Sequence, residues 1–200
     1  MKIGLYGGSF DPPHRGHLSA ARQFVCALHL DRLIVMPTSL SPAKSGQDGA
    51  SPQDRLAMTR LAFADFTACP VTVSDDEIRR GGKSYTLETL KRLSDGGVEH
   101  PYLLCGTDML LSFDRWLGAK EILAMATPVV MPRAEEDRDV LKRQIAFLSE
   151  RYGGEIVLLD GTPVPLSSTE VRAKIRAGIP TGDDLPDAVS SYAKEKGLYR

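Results

Sequence analysis

GGSFDPPHRGH, residues 7–17, joins a short apolar segment to an amphipathic one. The apolar segment, Lys2–Gly7, has the length and composition of a buried strand, and Gly16–Leu30 repeats apolar residues at helical spacing. The glycine pair lets the backbone approach a ligand closely, and the N–H groups at a helix start attract an anion. This stretch therefore predicts a strand–loop–helix unit with an anion site in its loop.

The alternation of strand and helix continues along the chain. We predict further strands at Arg32–Met36, Val71–Val73, Pro101–Cys105, Thr127–Met131 and Glu155–Leu159. We predict helices from Ser51 onward and at Tyr85–Leu93, Glu135–Tyr152, Ser168–Ala177 and Pro186–Lys196. Such alternation predicts an α/β, Rossmann-like, doubly wound fold, with a mostly parallel sheet and helices on both faces. Ligands of such sheets bind at the carboxyl ends of the strands, where the strand order reverses.

The composition favours a single domain over residues 1–200, because domains usually have about 100–200 residues. The 25 Lys and Arg residues balance 26 Asp and Glu, so the basic excess of a nucleic-acid or membrane-surface binder is missing. Cys26, Cys69 and Cys105 are too widely spaced to predict a disulfide framework or a zinc site. No apolar run approaches the ~18 residues of a membrane span, and Met1–Leu5 lack a signal-peptide pattern, so we expect a cytoplasmic protein.

His14 and His17 are the first candidates for chemistry. They stand three residues apart on the first turn of the predicted helix, so their side chains project from roughly one face. Two imidazoles at the positive end of a helix dipole can donate to a phosphoryl group on which charge builds up. The alternative is that one histidine caps the turn and the other packs. The segment is neither a Walker loop nor a dinucleotide fingerprint.

The same loop resembles the signature of the nucleotidyltransferase superfamily that joins adenylyl or cytidylyl groups to small phosphates. The resemblance depends on the strand-to-helix context and on Gly8, Phe10, Asp11, His14, Gly16 and His17. It implies ATP as a substrate, with His14 and His17 as catalytic residues. The ATP-binding residues that it implies in this loop are Gly7, Gly8, Ser9, Phe10, His14 and His17.

A second match lies far along the chain, at Ser167–Arg172. By itself, Ser-x-x-Glu ahead of an apolar helix is a capping box, which is a common structural feature. Together with the first loop it resembles the superfamily's second motif, in which hydroxyls and a helix start hold the β- and γ-phosphates. The resemblance implies ATP binding by Ser168, Thr169 and Arg172, with Arg172 as the third catalytic residue because a guanidinium binds phosphate oxygens in pairs.

The segment Gly106-Thr107-Asp108 follows a predicted strand, where the family has its G-x-D segment. The resemblance implies that Gly106 and Asp108 contact ATP, and the alternative for Asp108 is a helix N-cap. Trp116 is the only tryptophan of the chain. The resemblance implies that it stacks against the pyridine ring of the acceptor, and the alternative is an ordinary core residue.

The stretch Ser84-Tyr85-Thr86-Leu87-Glu88-Thr89-Leu90 narrows the resemblance to one family. It is similar to the segment of nicotinate-nucleotide adenylyltransferases that lines the acceptor pocket near the nicotinate carboxylate. Thr86 is the residue implied there, because a hydroxyl and an N–H at a helix start suit a carboxylate; an ordinary helix cap is the alternative. The resemblance also implies acceptor binding by Asp11 and by Arg133, for which a surface position is the alternative.

One departure from the family follows the second predicted strand. The family has Pro-Pro-His-Lys at this place, and this chain has Ser41-Pro42-Ala43-Lys44. Lys44 can still bring a charge to a phosphate, so we assign it to the acceptor site. How this loop closes on its ligand stays open.

The resemblance covers Lys2 to Tyr199 and implies one reaction. The adenylyl group of ATP moves to nicotinate mononucleotide, giving nicotinate adenine dinucleotide and pyrophosphate in NAD biosynthesis. Mg²⁺ is the implied cofactor, held mainly by phosphates and water and without a metal site in the protein. The expected partners are the two substrates, ATP and nicotinate mononucleotide. We expect no binding to nucleic acid or to a membrane, and the sequence leaves open whether the protein forms a homo-oligomer.

Two other functions stay open at this point. A sister enzyme would use nicotinamide mononucleotide or phosphopantetheine as the acceptor, and the Ser84–Leu90 segment argues only against phosphopantetheine. A non-catalytic nucleotide sensor would bind ATP without releasing pyrophosphate. The Ser41–Lys44 departure favours a sensor, and the intact pair of His14 and His17 opposes it.

Overall fold

One parallel sheet of six strands organises the protein. The computed structural model describes residues 1–41, 49–132, 134, 136–162 and 164–200. Within these ranges the strands are β1 (Ile3–Gly8), β2 (Arg32–Pro37), β3 (Val71–Val73), β4 (Tyr102–Gly106), β5 (Thr127–Met131) and β6 (Val157–Leu158). All neighbouring strands are parallel, and their order across the sheet is β3-β2-β1-β4-β5-β6.

Helices connect the strands. The described helices are α1 (Arg15–Leu28), α2 (Pro52–Phe63), α3 (Asp76–Arg80), α4 (Thr86–Asp95), α5 (Thr107–Leu111), α6 (Ala119–Met125), α7 (Asp137–Tyr152), α8 (Ser168–Arg176) and α9 (Asp187–Glu195). Short 3-10 turns lie at Phe113–Arg115 and Gly182–Asp184. Within the described ranges, none of the helices combines the length and the apolar character that crossing a membrane requires.

The sheet separates two apolar cores. Successive side chains of a strand point to opposite faces, so Leu33 and Val35 of β2 pack in one core and Ile34 and Met36 in the other. All five residues of β5 are buried. Strands covered on both faces need continuous apolar runs, which explains why the sequence shows them. The predicted doubly wound α/β fold is confirmed.

The strand order reverses at β1. The chain places β2 and β3 on one side of β1, and β4, β5 and β6 on the other. The loops that follow β1 and β4 therefore lead away from each other and leave a crevice, which is where open α/β sheets bind ligands. Residues 7–17 and 106–108, both singled out by the sequence, lie at this edge of the sheet.

Most predicted elements are confirmed, with small shifts at their ends. β5 has the predicted bounds, Thr127–Met131. The strand predicted over Glu155–Leu159 is wrong in length, because β6 pairs with β5 only through Val157 and Leu158. The sequence did not predict α3, α5 or α6, since helices of 5 to 7 residues show too little periodicity.

Candidate active site

α1 begins at the first loop, and His14 is its N-cap residue. The backbone N–H of His14 donates to Nδ1 of His17 at 3.1 Å, and the N–H of His17 donates to the carbonyl of His14 at 2.9 Å. Because Nδ1 of His17 accepts, its ring proton lies on Nε2, which makes Nε2 the donor of that ring. The two ring centroids are 3.8 Å apart. The spacing therefore brings both imidazoles together, as predicted.

The residues before His14 shape the loop around a packed phenylalanine. Phe10 is buried, with a φ of 48°, and its ring centroid lies 5.0 Å from that of His17. A β-carbon on Gly8 would lie 3.1 Å from the Phe10 ring, whereas one on Gly7 would meet nothing within 4 Å. Phe10 thus supports the histidine pair from the core, and Gly7 leaves space beside the backbone.

His14 is buried, with 5% of its surface exposed. Burial lowers the pKa of its imidazole from 6.5 to about 4, and the charges of Asp184 and Glu170 oppose this shift. Nδ1 of the ring is buried and has no hydrogen-bond partner in the described part of the chain. Near neutral pH, the imidazole of His14 is therefore uncharged. It lies at the start of α1, and its Nδ1 lacks a hydrogen-bond partner among the described residues.

The start of α8 docks onto the first loop. Oγ of Ser168 donates to the carbonyl of Pro12 at 2.9 Å, and Nη1 of Arg172 donates to the carbonyl of Asp11 at 2.7 Å. Nη2 of Arg172 lies 3.4 Å from Oγ1 of Thr169, and its Nε has no partner among the described residues. The two motifs of the sequence thus meet at one place in the structure.

The capping box expected from the sequence is also present. Oγ of Ser167 accepts the N–H of Glu170 at 3.2 Å, and the Glu170 carboxylate accepts the N–H of Ser167 at 2.9 Å. These two bonds fix where α8 begins and leave Ser168 free to contact the first loop. The cap and the contact with the loop therefore coexist.

The carboxylate of Asp11 contacts two distant segments. Its Oδ1 accepts the phenol of Tyr199 at 2.7 Å and the N–H of Ala50 at 2.9 Å. These contacts attach the first loop to the residues that follow α9 and to those that precede α2. Contact between Asp11 and an acceptor stays a prediction.

A cavity of about 140 Å³ lies at the carboxyl ends of β1, β4 and β5. Its lining includes Tyr6, Gly16, Gly106, Thr107, Met131 and Leu166. A β-carbon on Gly106 would meet nothing within 4 Å, so the backbone there is open to a ligand. Oγ1 of Thr107 donates to Asp137 at 2.7 Å, which fixes the loop, and Asp108 is exposed on the first turn of α5.

The two residues implied for the aromatic acceptor lie on adjoining segments. Thr86 is the first residue of α4, and Trp116 stacks on Phe113 with ring centroids 5.0 Å apart. Leu87 packs so closely on Gly118 that a β-carbon at Gly118 would overlap with it. This contact places the start of α4 beside the segment that carries Trp116.

Hydrogen bonds hold the segment that precedes α4. Oγ of Ser84 accepts the N–H of Ser39 at 3.0 Å, and the N–H of Ser84 donates to the carbonyl of Leu40 at 2.9 Å. The buried Glu77 accepts the hydroxyl of Thr89 at 2.6 Å. Burial raises the pKa of Glu77, and the hydroxyls of Ser84 and Thr89 oppose the shift. The acceptor segment is thereby attached to the loop that follows β2.

Lys44 and Arg133, which the sequence assigned to the acceptor, lie outside the described residues. Arg55 and Tyr199 also form hydrogen bonds with the first loop of the site. Neither residue was predicted from the sequence to belong to the site. An arginine within a helical segment and a single tyrosine carry no distinguishing spacing. The burial of Arg55 is the property that identifies it, and that requires the fold.

Comparison with known proteins agrees with this geometry. Residues 5–174 match the cytidylyltransferase-like family. A probable nicotinate-nucleotide adenylyltransferase from Roseiflexus sp. (strain RS-1) is 42% identical, over 99% of this chain and 98% of its own length. A probable nicotinate-nucleotide adenylyltransferase from Gemmatimonas aurantiaca is 36% identical, over 100% of this chain and 93% of its own length.

Solved structures share the fold at lower identity. The nicotinic acid mononucleotide adenylyltransferase of Plasmodium falciparum complexed with NaAD superposes with a TM-score of 0.79, at 15% identity over 99% of this chain and 97% of that chain. The same enzyme complexed with APC gives a TM-score of 0.76, at 14% identity over 99% and 96% of the two chains. At these identities the likeness establishes the fold alone.

Proposed function

We propose that this chain, which belongs to the nicotinate-nucleotide adenylyltransferase family, transfers the adenylyl group of ATP to nicotinate mononucleotide. The products are nicotinate adenine dinucleotide and pyrophosphate, and the reaction belongs to NAD biosynthesis. The observation that carries the proposal is the docking of the start of α8 on the loop that carries the histidine pair, at the strand reversal of the sheet. The catalytic domain that we propose spans residues 1–200.

The phosphate of the acceptor is the nucleophile in this reaction. Its second pKa is about 6, so close to pH 7 it is already anionic and needs no strong general base. One of its oxygens attacks the α-phosphorus of ATP and forms a P–O bond, while the bond to the bridging oxygen breaks and pyrophosphate leaves with the electron pair. The protein has to hold the substrates in line and stabilise the charge that develops.

We assign the α-phosphate to His17 and the phosphate chain to His14. Nε2 of His17 carries the ring proton, because its Nδ1 accepts the N–H of His14. Nδ1 of His14 has no partner in the described ranges. Both rings lie at the start of α1, where the helix dipole adds a positive potential. Hydrogen bonds from this cluster would strengthen as negative charge accumulates on the phosphoryl oxygens.

We assign the leaving pyrophosphate to the start of α8. Arg172 uses Nη1 to hold the first loop, while its Nε has no partner within the described part of the chain. Thr169 is exposed on the first turn of the helix, next to Ser168. A planar guanidinium can hold the loop with one N–H and bind a phosphate oxygen with another.

Mg²⁺ is the metal that we propose, and we expect it to enter with ATP. The described residues contain no group of three or more His, Cys, Asp and Glu side chains that could hold an ion. The donors of the site are imidazoles and N–H groups, which suit phosphate oxygens, so the ligands of Mg²⁺ would be phosphate oxygens and water. When bound, the ion supplies positive charge that offsets the charge of the phosphates.

The remaining residues are assigned to one of the two substrates, ATP or the acceptor. Gly106 and Asp108 are assigned to ATP, beside the cavity at the ends of β1, β4 and β5. Thr86 is assigned to the carboxylate of the acceptor, and Trp116 to its pyridine ring. The other residues that we propose for the acceptor are Asp11, Lys44 and Arg133.

The test is pyrophosphate release from ATP in the presence of Mg²⁺. Nicotinate mononucleotide, nicotinamide mononucleotide and phosphopantetheine are supplied in parallel, and we expect the fastest release with nicotinate mononucleotide. A preference for another acceptor would keep the transfer chemistry and change the substrate. If protein shown to bind ATP released no pyrophosphate with any of the three, the proposal would be overturned in favour of a nucleotide sensor.

A further inference from the structure

Arg55 is a buried arginine near the start of α2, with 6% of its surface exposed. Each of the three nitrogens of its guanidinium donates to a different backbone carbonyl. Nη1 donates to Ser9 at 2.7 Å, Nη2 to Ser39 at 2.8 Å and Nε to Ala50 at 3.3 Å. Arginine is rarely buried unless it is paired, and here its hydrogen bonds go to the backbone of two loops, the one between β1 and α1 and the one between β2 and α2.

These two loops leave the edge of the sheet at which the candidate active site lies. Ser9 follows β1 in the loop that leads to His14, and Ser39 and Ala50 stand near the two ends of the connection from β2 to α2. β1 and β2 are neighbours in the sheet, and the N–H of Thr38 donates to the carbonyl of Gly8 at 2.9 Å. Arg55 therefore lies beneath the point where the loops leave the sheet.

Ser39, which accepts from Arg55, also contacts the segment that is assigned to the acceptor. The N–H of Ser39 donates to Oγ of Ser84 at 3.0 Å. Ser84 stands two residues before Thr86, the first residue of α4. Through Ser39, the guanidinium thus connects the loop assigned to ATP with the segment assigned to the acceptor.

We infer that Arg55 is a positioning residue for adenylyl transfer, which sets the distance between the ATP loop and the acceptor segment. The inference rests on the proposed function, because it concerns how the two substrates of that reaction meet. In-line attack needs reacting atoms about 3–3.5 Å apart, and a misplacement of about 1 Å can cost about 100-fold in rate. Each loop keeps its own ligand contacts when the spacing is lost, so kcat should fall more than KM rises.

Lysine tests this role, because it keeps the charge and loses the planar set of N–H donors. In Arg55→Lys we expect kcat for pyrophosphate release to fall at least tenfold. We expect KM for ATP and for nicotinate mononucleotide to stay within threefold of wild type. An unchanged kcat, or a loss expressed only in KM, would overturn the inference.

Two variants of the same helix serve as controls. Arg60 is exposed and lies 3.9 Å from Asp75, so Arg60→Lys should keep wild-type kinetics. Met58 is fully buried in the core, so Met58→Ala should lower Tm and keep kcat near wild type when it is assayed well below that Tm. If Met58→Ala lost as much kcat as Arg55→Lys, loosened packing would explain both losses and the positioning role would be wrong.

A second readout does not depend on activity. Hydrogen exchange of backbone amides in peptides covering residues 8–12 and 38–41 should be faster in Arg55→Lys, and peptides of α9 should be unchanged. Unchanged exchange in the two loops would contradict the inference. If the wild-type protein released no pyrophosphate with any acceptor, the proposed function would fail, and exchange would still decide whether Arg55 holds the loops.

Ser84→Ala provides the test from the other end of the same connection. The variant removes the acceptor of the Ser39 N–H, together with the hydroxyl that Ser84 offers to the Glu77 carboxylate. We expect the same signature, a fall in kcat of about threefold to tenfold with little change in KM. If Arg55→Lys did not fold, wild-type kinetics in Ser84→Ala would overturn the inference.

Discussion

The phenol of Tyr199 donates to Oδ1 of Asp11 at 2.7 Å, across 188 positions of the sequence. The same oxygen accepts the N–H of Ala50 at 2.9 Å. Burial raises the pKa of Tyr199, and the negative charge of Asp11 raises it further, so the phenol keeps its proton and donates to the carboxylate. The carboxylate of Asp11 is therefore held from two sides, and with it the loop that leads to His14.

Tyr199→Phe should lower kcat/KM at least tenfold. A hydrogen bond to a charged group contributes about 1.5–3 kcal/mol to the stability of the conformation that it holds, and 1.4 kcal/mol corresponds to about a factor of ten in the population of that conformation. Steady-state pyrophosphate release measures the effect. Tyr192→Phe is the matched control, because it removes a hydroxyl that donates to Oδ1 of Asp54 at 3.0 Å, between α9 and α2. Equal losses in the two variants would rule out a specific effect of the Tyr199–Asp11 contact.

His14 should make the stability of the fold depend on pH. The pKa of its ring is about 4 in the fold, against 6.5 for an ordinary histidine. Between these values the unfolded chain binds a proton that the folded chain does not, so stability rises with pH through this range and is lost as the pH falls from 6.5 to about 4. At about 1.4 kcal/mol per pKa unit, the loss between pH 6.5 and 4 is on the order of 3 kcal/mol.

Urea unfolding at several pH values between 4 and 6.5 measures this contribution. In His14→Gln the dependence on pH should be flatter by about that amount, because glutamine does not titrate. His29→Asn is the control: His29 is an exposed C-cap residue in the left-handed region, which asparagine tolerates. An equal slope for wild type and His14→Gln would show that His14 does not titrate as an isolated buried ring.

His17→Ala should lower kcat by about 10²–10³ while the protein stays folded. The loss of one donor to developing charge typically costs this much. Pyrophosphate release at saturating ATP and acceptor measures kcat, and circular dichroism follows folding. His29→Asn again serves for comparison and should keep its kcat. Turnover near wild type in His17→Ala would remove His17 from the chemistry.

Much of the fold follows from local patterns in the sequence. An apolar run such as Thr127–Met131 predicts a buried strand, and the glycine pair and two histidines after β1 predict an anion site. The two ends of a parallel sheet are distinct, so loops that follow strands gather at one edge. This is why residues 7–17 and 106–108 could be placed together before the structure was known.

The contacts that hold the site could not be predicted in the same way. Arg55 stands among helical residues with no unusual spacing, and its burial depends on where α2 packs. The partner of Asp11 is Tyr199, and a sequence pattern gives no distance between residues so far apart. Periodicity describes neighbours along an element, whereas these contacts depend on the packing of α2 and α9, which contact each other in the fold.

Gly16→Ala should separate helix stability from catalysis. A β-carbon on Gly16 would lie 2.9 Å from Nδ1 and 3.0 Å from Cε1 of His14, so the ring would have to move. Alanine favours a helix over glycine by up to about 1 kcal/mol, so we expect Tm to change little while kcat falls at least tenfold. Gly96→Ala is the control, because its β-carbon would meet only carbonyl oxygens at 3.4 and 3.5 Å. A fully active Gly16→Ala would mean that the position of the His14 ring does not limit the rate.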